Sequence, residues 1–248
     1  MKVIFAATLF LVITSCKFSE PKRELNAQDI VNLAIEASGG AGHLENQISF
    51  DFRNRSYKGY KSKNQRIMER FQVLDSLEIL DRKINQSFER FVNDSLIVLP
   101  DSVANRYANS VNSVHYFARL PFGLNDAAVK KSVLGQEEIK GKKYHKVKVS
   151  FEEANGGDDF EDTYIYWCNT ESHLPDYLAY DFHVNGGGQR FREAYNERYV
   201  EGIRFVDYNN FKPKQKDIRL EDIGKAFENN ELELLSKIVL ENVQVSPN

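Results

Sequence analysis

Residues 131–151 read KSVLGQEEIKGKKYHKVKVSF, two runs of strand-forming residues hinged at Lys140-Gly141. In the second run Val147, Val149 and Phe151 alternate with Lys146, Lys148 and Ser150. A period of two sends the apolar set to one face and the charged set to the other, which is the pattern of a half-buried strand. With a tight glycine turn between the runs, the stretch predicts an antiparallel hairpin.

Downstream the same grammar repeats. ANGGDD (154–159) separates the hairpin from FEDTYIYWC, and LPDYLAYDFHV, NGGG and QRFREAYNERYV follow. A turn at Glu201-Gly202 then leads into IRFVDYNNF. In 189–200 Phe191, Tyr195 and Tyr199 share one face opposite Arg190, Arg192 and Arg198, which predicts one covered face and one wet face. Two partners suit these arginines: an anionic headgroup, or Glu193 and Glu197 on neighbouring strands. The tail from Leu220 predicts a short helix and a closing strand.

Upstream, residues 102–118 carry Val103, Tyr107, Val111, Val114 and Ala118 at helical spacing, and LPFGLND (120–126) ends that helix. Ile48, Phe50 and Phe52 alternate as a strand, with further strands near 64–74, 76–83, 86–92 and 95–99 and a turn in VNDSL. Residues 26–40, NAQDIVNLAIEASGG, predict a helix capped by Asn26 and ended by Gly39-Gly40, with Ile30, Leu33, Ala34 and Ala37 facing the core. GGAGH follows a helix rather than a strand, so it predicts a C-cap and not a phosphate loop. About eleven strands and two main helices without a βαβ rhythm predict an α+β fold. It is a single curled antiparallel sheet, an incomplete barrel, with the N-terminal and inserted helices on its concave face.

The first residues predict an address rather than part of the fold. Lys2 precedes the apolar run Val3 to Ile13, which is shorter than the about 20 residues of a spanning helix and has the length of a secretory leader. Ile13-Thr14-Ser15-Cys16 resembles the lipobox of bacterial lipoproteins. That resemblance implies cleavage of residues 1–15 and a lipid anchor on Cys16. Residues 16–25 then form a polar tether broken by Pro21, and 26–248 a single domain. The chain has two cysteines, so a lipidated Cys16 leaves Cys168 without a disulfide partner, packed as a small hydrophobe. The membrane partner is reached through the anchor. Lys17 stands where aspartate marks inner-membrane retention in enterobacterial lipoproteins, which leans toward the outer membrane.

A net charge of -3 disfavours nucleic acid. No nucleophile elbow appears, and the five histidines form no zinc motif, so no cofactor, metal site or catalytic set is predicted. The best local pair, Asp181 and His183, lies opposite Leu178, Tyr180, Phe182 and Val184 and reads as a solvated strand face. DDFED at 158–162 lacks the ligand spacing of a calcium loop.

LNDAAVKKSVLGQEEIKGKKYHKVKVSF, DTYIYWCNTESHLPDYLAYDF and QRFREAYNERYVEGIRF together resemble a family of uncharacterised lipoproteins of the Bacteroidetes lineage. More distantly, the order of strands and helices is similar to the carriers and receptors of the Lol lipoprotein-sorting system. Those are incomplete barrels closed by helices around a cavity that takes acyl chains. The resemblance implies a non-enzymatic, membrane-anchored envelope lipoprotein binding a lipid or other apolar ligand. The alternatives are a structural or partner-binding lipoprotein with a filled core and an envelope protein partner, and a hydrolase using Asp181 and His183.

Overall fold

A computed structural model of the chain describes residues 24–152, 162–183, 186–215 and 218–248. Two antiparallel sheets of seven strands each form the frame. The first is a meander of β1 (Asn46–Asp51), β2 (Ser56–Ser62), β3 (Gln65–Leu74), β4 (Leu77–Ile84), β5 (Ser87–Val92) and β6 (Ser95–Ile97). The second runs β7 (Val129–Ile139), β8 (Lys142–Phe151), β9 (Tyr164–Asn169), β10 (Pro175–Phe182), β11 (Gly188–Val200), β12 (Ile203–Pro213) and β13 (Leu232–Ile238). The chain then crosses back within two residues, and β14 (Glu241–Pro247) pairs with β1. The sheets do not close into a barrel.

The 131–151 hairpin forms as its alternation predicts. β7 and β8 pair from Val129–Phe151 to Ile139–Lys142, with an irregularity between Val133 and Gly135. Helix α1 (Ala27–Ala37) begins with a capping box: Asn26 Oδ1 accepts from the Asp29 amide at 2.9 Å and Asp29 Oδ2 from the Asn26 amide at 3.3 Å. Its buried face is Ile30, Val31 and Ala34, with Leu33 and Ala37 half-buried. At its end Gly39 adopts φ +111°, and an added Cβ would lie 2.8 Å from the Ile203 backbone, so glycine lets the helix end touch the start of β12. A short turn of helix, α2 (Gly42–Glu45), follows where only a cap was expected.

The inserted helix α3 (Asp101–Ala118) connects the two sheets and packs on β3, β4 and β5. One core cluster draws on α1, α3 and the facing sides of both sheets, including Ile30, Phe50, Val114, Val147, Tyr166 and Phe205. A second cluster lies on the other side of the second sheet, where Trp167, Tyr177 and Phe191 pack under α4 (Ile223–Glu228).

Two sheets of seven replace the expected single sheet of eleven. Alternation identifies strands but does not say which sheet each joins, and two strands were not read. One is β2, whose SYKGYKS carries Gly59 on its buried side, where a Cβ would stand 3.2 Å from His115 Nδ1. The tail also holds two strands rather than one. The expectation of one wet and one covered face in 189–200 is overturned as well. Phe191 is fully buried under α4, while Arg190 and Arg192 turn to the inner side and line a cavity.

Candidate functional site

The inner side of the second sheet is assembled by register. Tyr166, Leu178, Arg192 and Asn210 stand abreast on β9 to β12, and Tyr164, Tyr180 and Arg190 form the next row. Between these rows and α3 lies a cavity of about 610 Å³. Small-molecule sites typically measure about 300–1,000 Å³. The second sheet and its loops contribute Phe151, Tyr164, Tyr166, Tyr180 and Phe182 to the wall, α3 contributes Tyr116 and Phe117, and Phe52 closes the side toward the first sheet. Rings meet in pairs, Tyr164 on Tyr180 at 5.2 Å and Phe52 on Phe117 at 5.3 Å. The rings give the wall an apolar part, whose contribution to binding grows with the area removed from water, beside a polar part of comparable extent.

Polar atoms inside this wall are incompletely paired. Arg192 Nε and Asn210 Oδ1 are buried with no hydrogen-bond partner, whereas the buried hydroxyls of Tyr116 and Tyr166 face each other. The two tyrosines lie near enough to perturb each other, and burial raises both phenols above their ordinary range. Each buried unsatisfied group costs about 1–3 kcal/mol. Arginines 53, 66, 190 and 192 line the cavity together with Asp126 and Asp162.

Why the space stays open follows from how α3 is held. It is seated on the first sheet by buried Ala108, Val111, Val114 and Ala118 and by contacts to a charge cluster within that sheet. Asp81, fully buried, receives Arg70 Nη2 at 2.6 Å and Arg90 Nε at 2.6 Å. Arg70 also donates to the Ser110 hydroxyl of α3 at 2.8 Å, and Arg90 lies 3.4 Å from the centre of the Tyr107 ring. At the helix end His115 Nε2 contacts the Glu69 carbonyl at 3.0 Å, and Arg119 donates to the His43 carbonyl. Burial, with Arg119 nearby, lowers His43 to about 4 and His115 to about 3, so both stay neutral around pH 7.

A larger, polar depression of about 880 Å³ lies at the turn end of the second sheet. Its charges are matched within the fold: Arg204 reaches Glu197 at 2.5 Å and Asp176 at 3.3 Å, and the Tyr144 hydroxyl donates to Asp176 at 3.1 Å.

The residues singled out in sequence fall out as follows. Cys16, the leader and most of the tether lie outside the described residues, as do residues 158–161 of DDFED. Cys168 is buried, and burial pushes its thiol up to about 12, in keeping with a packed side chain. Asp181 and His183 turn to different partners: Asp181 accepts from the Thr163 amide at 2.9 Å, and the exposed His183 lies 3.5 Å from Asp162. Glu193 pairs with Lys140 at 2.5 Å and Glu197 with Arg204, whereas Arg198 pairs with Asp207 at 3.2 Å. The expected pairing of the strand's arginines with its two glutamates therefore does not form. Among the described residues no cluster could hold a metal ion, and no helix is long and apolar enough to cross a membrane. Sequence reading did not single out Arg192 or Asn210 as cavity residues. The one available signal was that Leu178, Tyr180 and Phe182 share a face.

A model described as a family of unknown function (DUF6503) matches residues 10–241. No curated protein matches the sequence. Among solved structures, a LolA superfamily protein from Nitrosomonas europaea is 12% identical, with 90% of this chain and 92% of that one covered at a TM-score of 0.49. A DUF1329 family protein from Desulfovibrio piger is 11% identical, with 88% and 92% covered at a TM-score of 0.47. At TM-scores below 0.5 these likenesses assign no function.

Proposed function

We propose a lipid-binding role for this chain, which belongs to the DUF6503 family of unknown function: a non-enzymatic envelope lipoprotein, tethered through Cys16, that holds a lipid or another apolar ligand in the cavity between α3 and the second sheet. The observation that carries the reading is the cavity itself, about 610 Å³ walled by rings from both sheets and α3. Cys16 would keep the domain at a bilayer with two or more acyl chains, where one chain anchors only marginally. α3 packs on β3, β4 and β5 of the first sheet, and the cavity lies between it and the second sheet.

Native mass spectrometry of the chain from Lys17 onward, which lacks both the apolar leader and Cys16, purified from cell extract without detergent, tests both parts. The reading predicts loss of membrane association and co-purification of a lipid-sized adduct. A chain without residues 1–16 that stays in the membrane fraction contradicts the tether. One that never retains an adduct or takes up an added lipid contradicts the ligand.

A further inference from the structure

The cavity wall carries a charge that the fold leaves unanswered. Arg192 on β11 stands between Leu178 on β10 and Asn210 on β12, so neither cross-strand neighbour offers a carboxylate. Its Nη2 donates to the Tyr180 hydroxyl at 3.0 Å, its guanidinium lies 5.4 Å from the Phe117 ring centre and 5.1 Å from that of Tyr180, and its buried Nε has no partner. On the neighbouring strand Asn210, more than nine-tenths buried, presents a further unpartnered polar atom, its Oδ1. Asn210 bonds the Ser236 hydroxyl at 3.1 Å through Nδ2. Since a hydroxyl accepts or donates, the amide can reverse and turn its N–H to the cavity at no loss.

A guanidinium with an unpaired N–H, next to an amide that can turn its own N–H toward it, calls for a ligand that brings the acceptor. Guanidinium suits the task because it keeps its charge when desolvated and matches planar oxyanions through paired N–H groups. We propose that the cavity takes an acyl-chain ligand ending in an anionic group, a carboxylate or a phosphate, with that end bonded by Arg192 and the chain laid among Phe117, Phe151, Tyr164 and Tyr180. Arg190, also on the wall, adds positive charge two residues away on the same strand face. The inference rests on the lipid-binding reading above and specifies the head of the ligand.

The test is competition for a fluorescent acyl probe on the full chain carrying Cys16→Ser, using palmitate, lysophosphatidate and hexadecanol. A charge-assisted bond predicts that at least one anionic lipid binds roughly tenfold or more tighter than hexadecanol, and the stronger of the two identifies carboxylate or phosphate. Arg192→Gln then brings the anionic lipid down toward the affinity of hexadecanol measured on the same variant, and the circular-dichroism spectrum and unfolding midpoint report that the variant is folded. Equal binding of all three overturns the anionic head but leaves the lipid-binding reading standing. Failure of all three to displace or occupy the site overturns both. The comparison of lipids on the unsubstituted cavity needs no variant, so a misfolded Arg192→Gln chain does not shield the proposal.

Discussion

The two sides of the second sheet are both aromatic, yet one is packed shut and the other stands open. On the outer side Phe227 of α4 reaches Phe191 at 4.7 Å, Phe211 at 5.2 Å and Tyr177 at 5.9 Å, while Trp167 abuts Phe191 at 5.6 Å. The Trp167 indole donates to Glu137 at 3.0 Å, and Lys146 joins the same carboxylate to the Glu221 carbonyl at 2.8 Å. Six residues of helix and one phenylalanine complete that layer. On the inner side an eighteen-residue helix is available, but its seat on the first sheet holds it away, and Arg190 and Arg192 occupy positions where a dry layer would need apolar side chains. Filling a face therefore depends less on the supply of rings than on what fixes the covering helix. On the outer side the cover packs against the sheet it covers, and on the inner side α3 packs on the first sheet, beside a buried charge cluster, rather than on the second.

Breaking either fixation should be costly, and the largest effect is expected at the charge. Asp81→Ala strands Arg70 and Arg90 in a buried setting and should cost about 3–5 kcal/mol in denaturant unfolding, with α3 loosened and ligand binding lost. Phe191→Ala should cost a comparable or smaller sum, about 3–5 kcal/mol for a buried phenylalanine at most. Because its ring faces α4, ligand affinity of the folded fraction should not change. If Phe191→Ala abolished binding while the protein stayed folded, the two faces would not be independent.

The seat of α3 also predicts a pH dependence. His43 and His115 titrate at about 4 and about 3 in the fold, against 6.5 for an ordinary histidine. The unfolded chain thus binds protons first as pH falls. The stabilisation is complete above about pH 6.5 and is lost between there and about 3, at up to about 1.4 kcal/mol per histidine per pH unit. Denaturation midpoints across this window check the slope, and His115→Gln should flatten it.

The smallest effect on stability should come from Ala128→Trp, which puts bulk into the half-open cavity wall. A change within about 0.5 kcal/mol is expected for a partly exposed site, together with loss of ligand binding. That pairing of outcomes, stability kept and binding lost, is the reverse of the pairing at Phe191.

Much of this frame was legible because local chemistry fixes it. The Lys140-Gly141 hairpin, the Asn26 capping box and the α3 stripe each depend on residues close in sequence, and each formed. Assignment of strands to two sheets depends on partners far apart, such as Ile48 with Val245, which alternation does not encode. A short helix was legible in the tail, but six residues do not say which face they cover, so the layer over Phe191 was not foreseen and the arginines opposite were assigned to water. A cavity was implied by the resemblance to the Lol carriers, since alternation does not tell a filled interior from an open one. Its polar end was not, because an arginine in an alternating strand looks the same whether it meets solvent or an internal space.

The central claim is that this internal space holds a ligand, and titration of the Cys16→Ser chain with a fluorescent acyl probe tests it most directly. A single saturable site, displaced by unlabelled lipid, retained in Phe191→Ala and abolished in Ala128→Trp, is the predicted result. Binding that is absent, or that survives Ala128→Trp unchanged, would contradict it.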